Sequence, residues 1–309
     1  MFLRWMMLSL FALGLFAPGA GALAATSGQH AKHKRIHAHI RHVAAVESGD
    51  LTLQSNIALV VDQTTGQPVF AKNIDEVRPI ASITKLMTAQ VVLDAQLPMQ
   101  QLVKITDADI DTEKNSRSRL RVGAELTRTQ LLQLALMASE NRAAHALART
   151  YPDGMQAFVL LMNQKAKALG MANTHFIEPT GLSSSNVSTA SDLVKLVRAS
   201  ERYAVIREYT TTSSREMEVL GRVVAFHNTN RLVGSESWDI VLSKTGFINE
   251  AGRCLVMQAR IDGRPLTIVL LDSYGRLTRI GDANRIRKWL TSQAGAPARV
   301  NPAGEAAGG

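Results

Sequence analysis

Cysteine is almost absent from this sequence, since Cys254 is the single cysteine in 309 residues. A lone cysteine excludes an intramolecular disulfide, so a folded core has to be stable without one. Cys254 lies in the apolar run RCLVMQA, where a buried thiol that packs like a small apolar side chain is more frequent than a reactive one. We therefore assign Cys254 no catalytic role.

Long apolar runs are absent after the N-terminal stretch MFLRWMMLSLFALGLFAPGAGALAAT. That stretch has one arginine, an apolar core and a small-residue cleavage pattern, so residues 1–24 are expected to be a secretory signal peptide. Its apolar core is shorter than the roughly 18 to 20 residues that span a bilayer. Cleavage is expected after Ala24, with Ala25 as the alternative. The mature protein is then expected in the periplasm, with no transmembrane segment.

Patterns of nucleic-acid-binding proteins are absent as well, because there is neither zinc-finger spacing nor an RNA-binding aromatic signature. The net charge of +9 nevertheless favours an anionic partner. For an exported protein, a cell-wall polymer rich in carboxylates or an anionic membrane surface fits this charge better than nucleic acid does. The sequence therefore predicts no nucleic-acid partner.

Both ends of the chain differ in composition from its middle. Residues 25–54 form a basic leader that holds five of the eight histidines, between His30 and His42. Such a tract can bind a transition metal, but no acidic or cysteine ligand completes a site, so a flexible linker is the favoured interpretation. Residues 292–309 are rich in proline, glycine and alanine and are expected to be disordered.

Residues 55–291 are expected to form one folded domain that is β-rich at both ends and helical in the middle. Short β-rich runs are joined by turn residues, notably Asp262-Gly263, which is a strong hairpin signal. Consecutive hairpins imply an antiparallel sheet, so the predicted fold class is α+β, with helices flanking that sheet and an inserted all-α lobe. The predicted helical stretches are residues 82–97, 127–151, 155–171, 189–203 and 278–291.

The stretch ASITKLMTAQ opens the first predicted helix and pairs Ser82 with Lys85. Residues three apart share a helix face, so the amine is expected beside the hydroxyl. A serine is a weak nucleophile unless a base takes its proton, and a desolvated lysine can have its pKa lowered enough to serve. An SxxK pair alone is too common to identify an enzyme.

Two further triplets follow in order, SEN beginning at Ser139 and KTG beginning at Lys244. The first ends an apolar helical run and the second lies in a strand-like run. The set S-x-x-K, S-D-N and K-T-G is the signature of class A β-lactamases and penicillin-binding proteins. Three motifs in order, each in its required structural context, are improbable by chance and indicate an acyl-transfer enzyme.

Longer stretches extend the likeness: ASITKLMTAQVVLDA, LALMASENRAAHALA, MNQKAKALGMANTHFIEPTGLS and SKTGFINEAGRCLVM. In these, over about residues 56–290, the chain resembles the low-molecular-mass penicillin-binding proteins of the D-alanyl-D-alanine endopeptidase type, in the β-lactamase/DD-peptidase superfamily. The resemblance implies a catalytic domain over residues 55–291 that hydrolyses D-alanyl cross-links of peptidoglycan. It also implies an acyl-enzyme, inhibition by β-lactams, and no metal or organic cofactor.

The resemblance implies a role for each motif residue. Ser82 would attack the carbonyl of the penultimate D-alanine, and Lys85 would be the general base. Ser139 would relay a proton to the leaving amine, and Asn141 would bind the substrate's peptide backbone. Lys244 would keep the site cationic.

The rest of the KTG segment is expected to bind substrate. Thr245 would bind a carboxylate or carbonyl, and Gly246 would let the substrate backbone pair closely with the strand. The N–H groups of Phe247 and Ser82 would form the oxyanion hole, a contribution commonly worth a few kcal/mol per donor. The side chain of Phe247 is not required.

Three alternatives stay open from the sequence. A class A β-lactamase would need a deacylating glutamate; Glu178 is the only acid near that place, but it lacks the ExxLN surroundings and is interpreted as a loop residue. A carboxypeptidase of the membrane-anchored type would continue into a β-rich domain and a C-terminal amphipathic helix, which this sequence does not show. A non-catalytic scaffold would not need the intact motifs. His145 is interpreted as a helix-packing residue, and Arg253 as an exposed strand or turn residue.

Overall fold

The computed structural model describes residues 51–294. The predicted signal peptide, most of the leader and most of the tail lie outside the described residues. Within the described part, none of the helices combines the length and the apolar character needed to cross a membrane.

Strands frame a set of helices in the described residues. The strands are β1 (Ser55–Asp62), β2 (Pro68–Lys72), β3 (Arg78–Pro79), β4 (Leu102–Lys104), β5 (Glu125–Thr127), β6 (Val187–Ser188), β7 (Ser214–Val219), β8 (Arg222–His227), β9 (Asp239–Ile248), β10 (Gly252–Ile261) and β11 (Arg264–Ser273). The α-helices are α1 (Lys85–Asp94), α2 (Arg128–Met137), α3 (Asn141–Arg149), α4 (Gly154–Ala168), α5 (Ala190–Ser200), α6 (Ala204–Thr211) and α7 (Thr278–Ala294), with 3₁₀ turns at Ala81–Thr84 and Asp107–Asp109.

One five-stranded antiparallel sheet carries the fold, in the order β2-β1-β11-β10-β9. The predicted hairpin between β10 and β11 is confirmed, because Asp262 and Gly263 both have positive φ, 50° and 75°, as a two-residue hairpin turn requires. The α+β prediction is also confirmed, since α1 to α6 are inserted between β2 and β9. Strand β9, which carries the KTG triplet, lies at the sheet edge.

The central strands are buried on both faces, because side chains alternate between two apolar clusters. Leu255 and Met257 pack with α7, whereas Cys254 and Val256 pack with the inserted helices. The predicted burial of Cys254 is thus confirmed, and burial raises the pKa of its thiol to about 11. The thiol therefore stays protonated and serves only as a packing group.

The structure corrects the predicted bounds of two helices. Residues 82–97 do not form one helix, since Ser82 lies on the 3₁₀ turn Ala81–Thr84 and α1 begins at Lys85. The stretch 127–151 is broken between α2 and α3. At the start of α2, Thr127 and Gln130 form a capping box. Helix α6 and the β7–β8 hairpin were not predicted.

The predicted limits of the domain, residues 55 and 291, stay a prediction. Before the first limit, the side chain of Leu53 is buried in the cluster under α7. Beyond the second, α7 continues to Ala294. Both features extend the ordered structure slightly past the limits drawn from composition.

A buried carboxylate ties α7 to the start of β1. Asp282 accepts hydrogen bonds from the backbone N–H of Gln54 and Ser55 at 3.1 and 2.7 Å, and from the Ser55 hydroxyl at 2.6 Å. Replacing it in Asp282→Ala leaves buried donors without partners. We expect the free energy of unfolding to fall by about 2–3 kcal/mol, measured by urea denaturation.

The matched control is Asp239→Ala, which removes an exposed carboxylate that lies 3.5 Å from Arg260. Exposed pairs contribute little, so its unfolding free energy should stay within about 0.5 kcal/mol of wild type. Equal effects of the two substitutions would contradict the structural role of Asp282.

Candidate active site

The 3₁₀ turn that carries Ser82 is tightly held between strand and loop. In a 3₁₀ turn, residues i and i+3 eclipse each other, so Lys85 lies directly over Ser82. Ala81 enters the turn with φ of 47°, a left-handed conformation that is uncommon outside glycine. The turn is packed so closely that a Cβ on Gly181 would lie 1.9 Å from the Ala81 carbonyl oxygen.

Three oxygen atoms surround the amine of Lys85. Its Nζ lies 2.8 Å from Ser82 Oγ, 2.7 Å from Asn141 Oδ1 and 2.6 Å from the carbonyl oxygen of Thr180. The lysine is 1% exposed. The predicted approach of Lys85 to Ser82 is therefore present, and Asn141 and Thr180 lie beside the same amine.

Burial lowers the pKa of Lys85 to about 7, against the opposing field of Glu178, Glu140 and Asp111. A neutral amine has two hydrogens and one lone pair. The amide oxygen of Asn141 and the carbonyl oxygen of Thr180 can only accept, so they fix both hydrogens. The lone pair is then directed at the Ser82 hydroxyl, which is the geometry of a general base.

The SEN triplet occupies the break between α2 and α3. Ser139 has φ of 60°, and Asn141 is the first residue of α3. Between them, the Glu140 carboxylate turns away and accepts from the Ser118 hydroxyl at 2.7 Å and from the backbone N–H of Arg119 at 3.2 Å. Ser139 and Asn141 thus contact the two lysines of the site, while Glu140 anchors the loop.

Lys244 crosses from β9 to the helical lobe. Its amine donates to Ser139 Oγ at 2.9 Å and to the carbonyl oxygen of Thr245 at 3.0 Å. Burial, with Lys85 and Arg279 adding repulsion, lowers the pKa of Lys244 well below its ordinary value. A cationic Lys244, as the motif implies, therefore depends on an anion arriving beside it.

Gly246 makes room for the turn that carries Ser82. A Cβ at this position would lie 2.8 Å from the carbonyl oxygen of Ile80 and 3.1 Å from the backbone nitrogen of Ser82. Phe247, the next residue, has a half-exposed ring under the guanidinium of Arg253, at 4.2 Å. The close approach sets the two expected oxyanion donors, on Ser82 and Phe247, at one edge of the sheet.

Glu178 is fully engaged by its own loop. Its carboxylate accepts from the N–H of Thr180 and Gly181 at 2.6 Å each, from the Thr180 hydroxyl at 2.5 Å and from Asn186 Nδ2 at 2.9 Å. These bonds present the Thr180 carbonyl to Lys85. The geometry matches the loop role assigned from the sequence, since a deacylating base needs a free lone pair for water.

Several hydrogen bonds of the site involve residues that the sequence did not indicate. Asn141 Nδ2 donates to Ser116 Oγ at 2.9 Å, Thr245 donates to Thr229 Oγ1 at 2.7 Å, and Arg279 donates to the carbonyl oxygen of Gly246 at 3.0 Å. The partners Ser116, Thr229 and Arg279 belong to no motif, so only the folded chain brings them to the motif residues.

The structure also shows the contacts or burial of His145 and Arg253, to which the sequence assigned no catalytic role. His145 Nδ1 lies 2.8 Å from the buried carboxylate of Asp109, which also pairs with Arg149. This cluster joins α3 to the turn Asp107–Asp109, as expected of a packing histidine. Arg253 is half-buried, in contrast to the exposed strand position predicted for it.

Proteins of similar sequence support the class of enzyme that the site defines, a serine DD-peptidase. The chain is 49% identical over 240 residues to a D-alanyl-D-alanine endopeptidase of Pseudomonas aeruginosa, covering 77% of each chain. It is 46% identical over 250 residues to one of Escherichia coli K12, covering 80% of each. The DD-transpeptidase of Streptomyces K15 superposes with a TM-score of 0.72 at 30% identity, over 78% of this chain and 98% of its own.

Residues 43–275 match the S11 peptidase family, described as D-alanyl-D-alanine carboxypeptidase, and the chain belongs to this family. The resemblance stated from the motifs is thereby confirmed, and the chain is a serine hydrolase of the β-lactamase/DD-peptidase fold.

The pKa of Lys85 predicts how acylation depends on pH. Only the neutral amine can take the proton of Ser82, and lowering its pKa to about 7 populates that form as pH rises through 7. We expect the second-order rate of acylation by benzylpenicillin to rise about tenfold per pH unit below 7 and to level off above it. A rate independent of pH between about 5.5 and 8.5 would contradict this assignment.

The space at Gly246 predicts the effect of adding one methyl group. In Gly246→Ala, the Cβ must displace the backbone at Ile80 and Ser82. We expect acylation to slow by about 10²-fold, because a shift of about 1 Å at the nucleophile has such an effect. The control is Gly281→Ala within α7, whose Cβ meets only the flexible end of Arg285 at 3.4 Å. Equal acylation rates in both variants would refute the steric argument.

Proposed function

We propose that this protein is a DD-endopeptidase that hydrolyses D-alanyl cross-links of peptidoglycan through an acyl-enzyme on Ser82. The observation that carries the proposal is the buried Lys85 amine, 2.8 Å from Ser82 Oγ, with its remaining hydrogen-bonding capacity used by Asn141 and Thr180. Two relatives at 46% identity or more are named D-alanyl-D-alanine endopeptidase, which supports this specificity.

Acylation begins when Ser82 Oγ attacks the carbonyl carbon of the penultimate D-alanine. The proton of the hydroxyl passes to Lys85 Nζ as the new C–O bond forms. The N–H groups of Ser82 and Phe247 hold the oxyanion of the tetrahedral intermediate. Its collapse breaks the C–N bond, and the departing amine takes a proton through the hydroxyl of Ser139.

The two lysines share the proton transfers. Lys85 passes the proton that it took from Ser82 to the departing amine by way of the Ser139 hydroxyl. This hydroxyl accepts a hydrogen bond from Lys244 at 2.9 Å. Negative charge on the intermediate or on a bound carboxylate favours the protonated form of Lys244, which burial alone disfavours. In deacylation, Lys85 takes a proton from the water that attacks the ester and returns it to Ser82 Oγ as the C–O bond breaks, which restores the free serine.

Substrate binding is assigned to the KTG edge of the sheet. An extended peptide can pair with β9 because this strand is the edge of the five-stranded sheet. Asn141 would contact the peptide backbone from the helical lobe. The hydroxyl of Thr245 would bind the carboxylate beside the scissile bond, next to the guanidinium of Arg279. Neither a metal ion nor an organic cofactor enters any step.

Persistent inhibition by β-lactams follows from the same geometry. A β-lactam would acylate Ser82, and the described residues offer no free carboxylate in the place of a lactamase base, since Glu178 is fully hydrogen-bonded. Because peptidoglycan lies outside the cytoplasm, the proposed location is the periplasm. Residues 1–24 would be the signal peptide that directs export, and residues 55–291 would form the catalytic domain.

The test is the intact mass of the mature protein over time with benzylpenicillin, followed by product analysis with purified cross-linked muropeptides. Wild type should gain one lasting adduct and convert cross-linked dimers to monomers. Ser82→Ala should do neither, whereas the control Ser214→Ala, at an exposed position of β7, should match wild type.

Other outcomes would identify the alternatives. Rapid hydrolysis of the drug without a lasting adduct would indicate a β-lactamase. Release of D-alanine from free stem peptides, with cross-links left intact, would indicate a carboxypeptidase. Full biological activity of Ser82→Ala would favour a scaffold.

A further inference from the structure

A small cleft rich in arginine adjoins the KTG segment. It has a volume of about 170 Å³, and four arginines line it: Arg231, Arg253, Arg276 and Arg279. Thr229 also lines the cleft and contacts the Thr245 hydroxyl at 2.7 Å. Arg279 donates to the carbonyl oxygen of Gly246 at 3.0 Å. The cleft therefore begins where the substrate strand is expected to run.

The positive charge of this cleft has no compensation among the described residues. No carboxylate of residues 51–294 lines the cleft or forms a salt bridge with any of its arginines. Arg279 is only 9% exposed, and its Nε has no hydrogen-bond partner in the described part of the chain. Burial and the neighbouring Arg253 lower the pKa of Arg279 to about 10. Like charges held together in this way favour a bound anion.

The four arginines differ in how freely they can reach a ligand. Arg279 is buried against Gly246, and Arg253 is half-buried over the ring of Phe247 at 4.2 Å. Arg231 and Arg276 are exposed and form the open rim. One carboxylate beside the scissile bond can occupy the inner position near Arg279 and Thr245. The exposed pair is then left for a second anionic group.

The two candidate substrates differ in the charge of the part that leaves. A free stem peptide releases D-alanine, which has a single carboxylate. A cross-link releases a whole peptide, which has further carboxylates beyond the one at the scissile bond. We propose that Arg231 and Arg276 form a second carboxylate subsite for the leaving peptide, and so favour cross-linked substrate over free stem peptides. This inference rests on the proposed endopeptidase function.

The test compares two substrates in one double variant, Arg231→Ala with Arg276→Ala. On a cross-linked muropeptide dimer, kcat/KM should fall by about tenfold or more, mainly through KM. On a linear pentapeptide ending in D-alanyl-D-alanine, and in acylation by benzylpenicillin, the rates should stay within about twofold, because neither substrate carries the second carboxylate on that side. The control is Arg260→Ala, an arginine at the other end of β10.

A chemical arm identifies the group that is bound. On a dimer in which only the further carboxylates of the leaving peptide are amidated, and the one beside the scissile bond is left free, wild type should lose about the same factor in kcat/KM. The double variant should lose nothing further. An unchanged kcat/KM on the dimer, or an equal loss on dimer and pentapeptide, would overturn the subsite while leaving the endopeptidase function intact. Wild type that processes the pentapeptide but not the dimer would refute the endopeptidase function and the subsite with it.

Discussion

The burial of an amine among neutral oxygen atoms is the constraint on which this structure depends. A charged ammonium with no carboxylate in contact is costly in such a place, so burial lowers the pKa of Lys85 to about 7. The three oxygens come from separate parts of the fold: the 3₁₀ turn of Ser82, the start of α3 at Asn141, and the loop at Thr180. The site exists only when all three parts are packed together.

Much of the surrounding architecture can be understood as support for that packing. Glu178 fixes the loop that presents the Thr180 carbonyl, and Glu140 fixes the loop that presents Ser139. The charges of both carboxylates raise the pKa of Lys85, but the burial of the amine lowers it by more. The sheet edge supplies the other half of the site through Lys244. Repulsion from Lys85 adds to the burial that lowers the pKa of Lys244, so charging both amines at once is disfavoured.

The fold class and the approach of Lys85 to Ser82 were predicted correctly from the sequence, because hairpin turns such as Asp262-Gly263 and the spacing of Ser82 and Lys85 are local signals. It could not predict that Ser82 lies on a 3₁₀ turn, since the close approach of Gly246 and Gly181 that shapes this turn comes from distant segments. Contacts through backbone carbonyls, such as that of Thr180, cannot be predicted from residue type, because every residue has a carbonyl group. The arginine cleft is likewise assembled from residues in separate segments of the sequence. Arg253 considered by itself gave no sign of this cleft.

The most direct test of the account is a pH titration of Lys85, measured by NMR of the lysine side chains in the uninhibited protein. The signal missing from a Lys85→Arg variant identifies the residue. A titration midpoint near pH 7 is the predicted result, because burial outweighs the three carboxylates around the amine. A midpoint near the ordinary lysine value of about 10.4 would mean that Lys85 is an ammonium at neutral pH. It could not then be the base for Ser82.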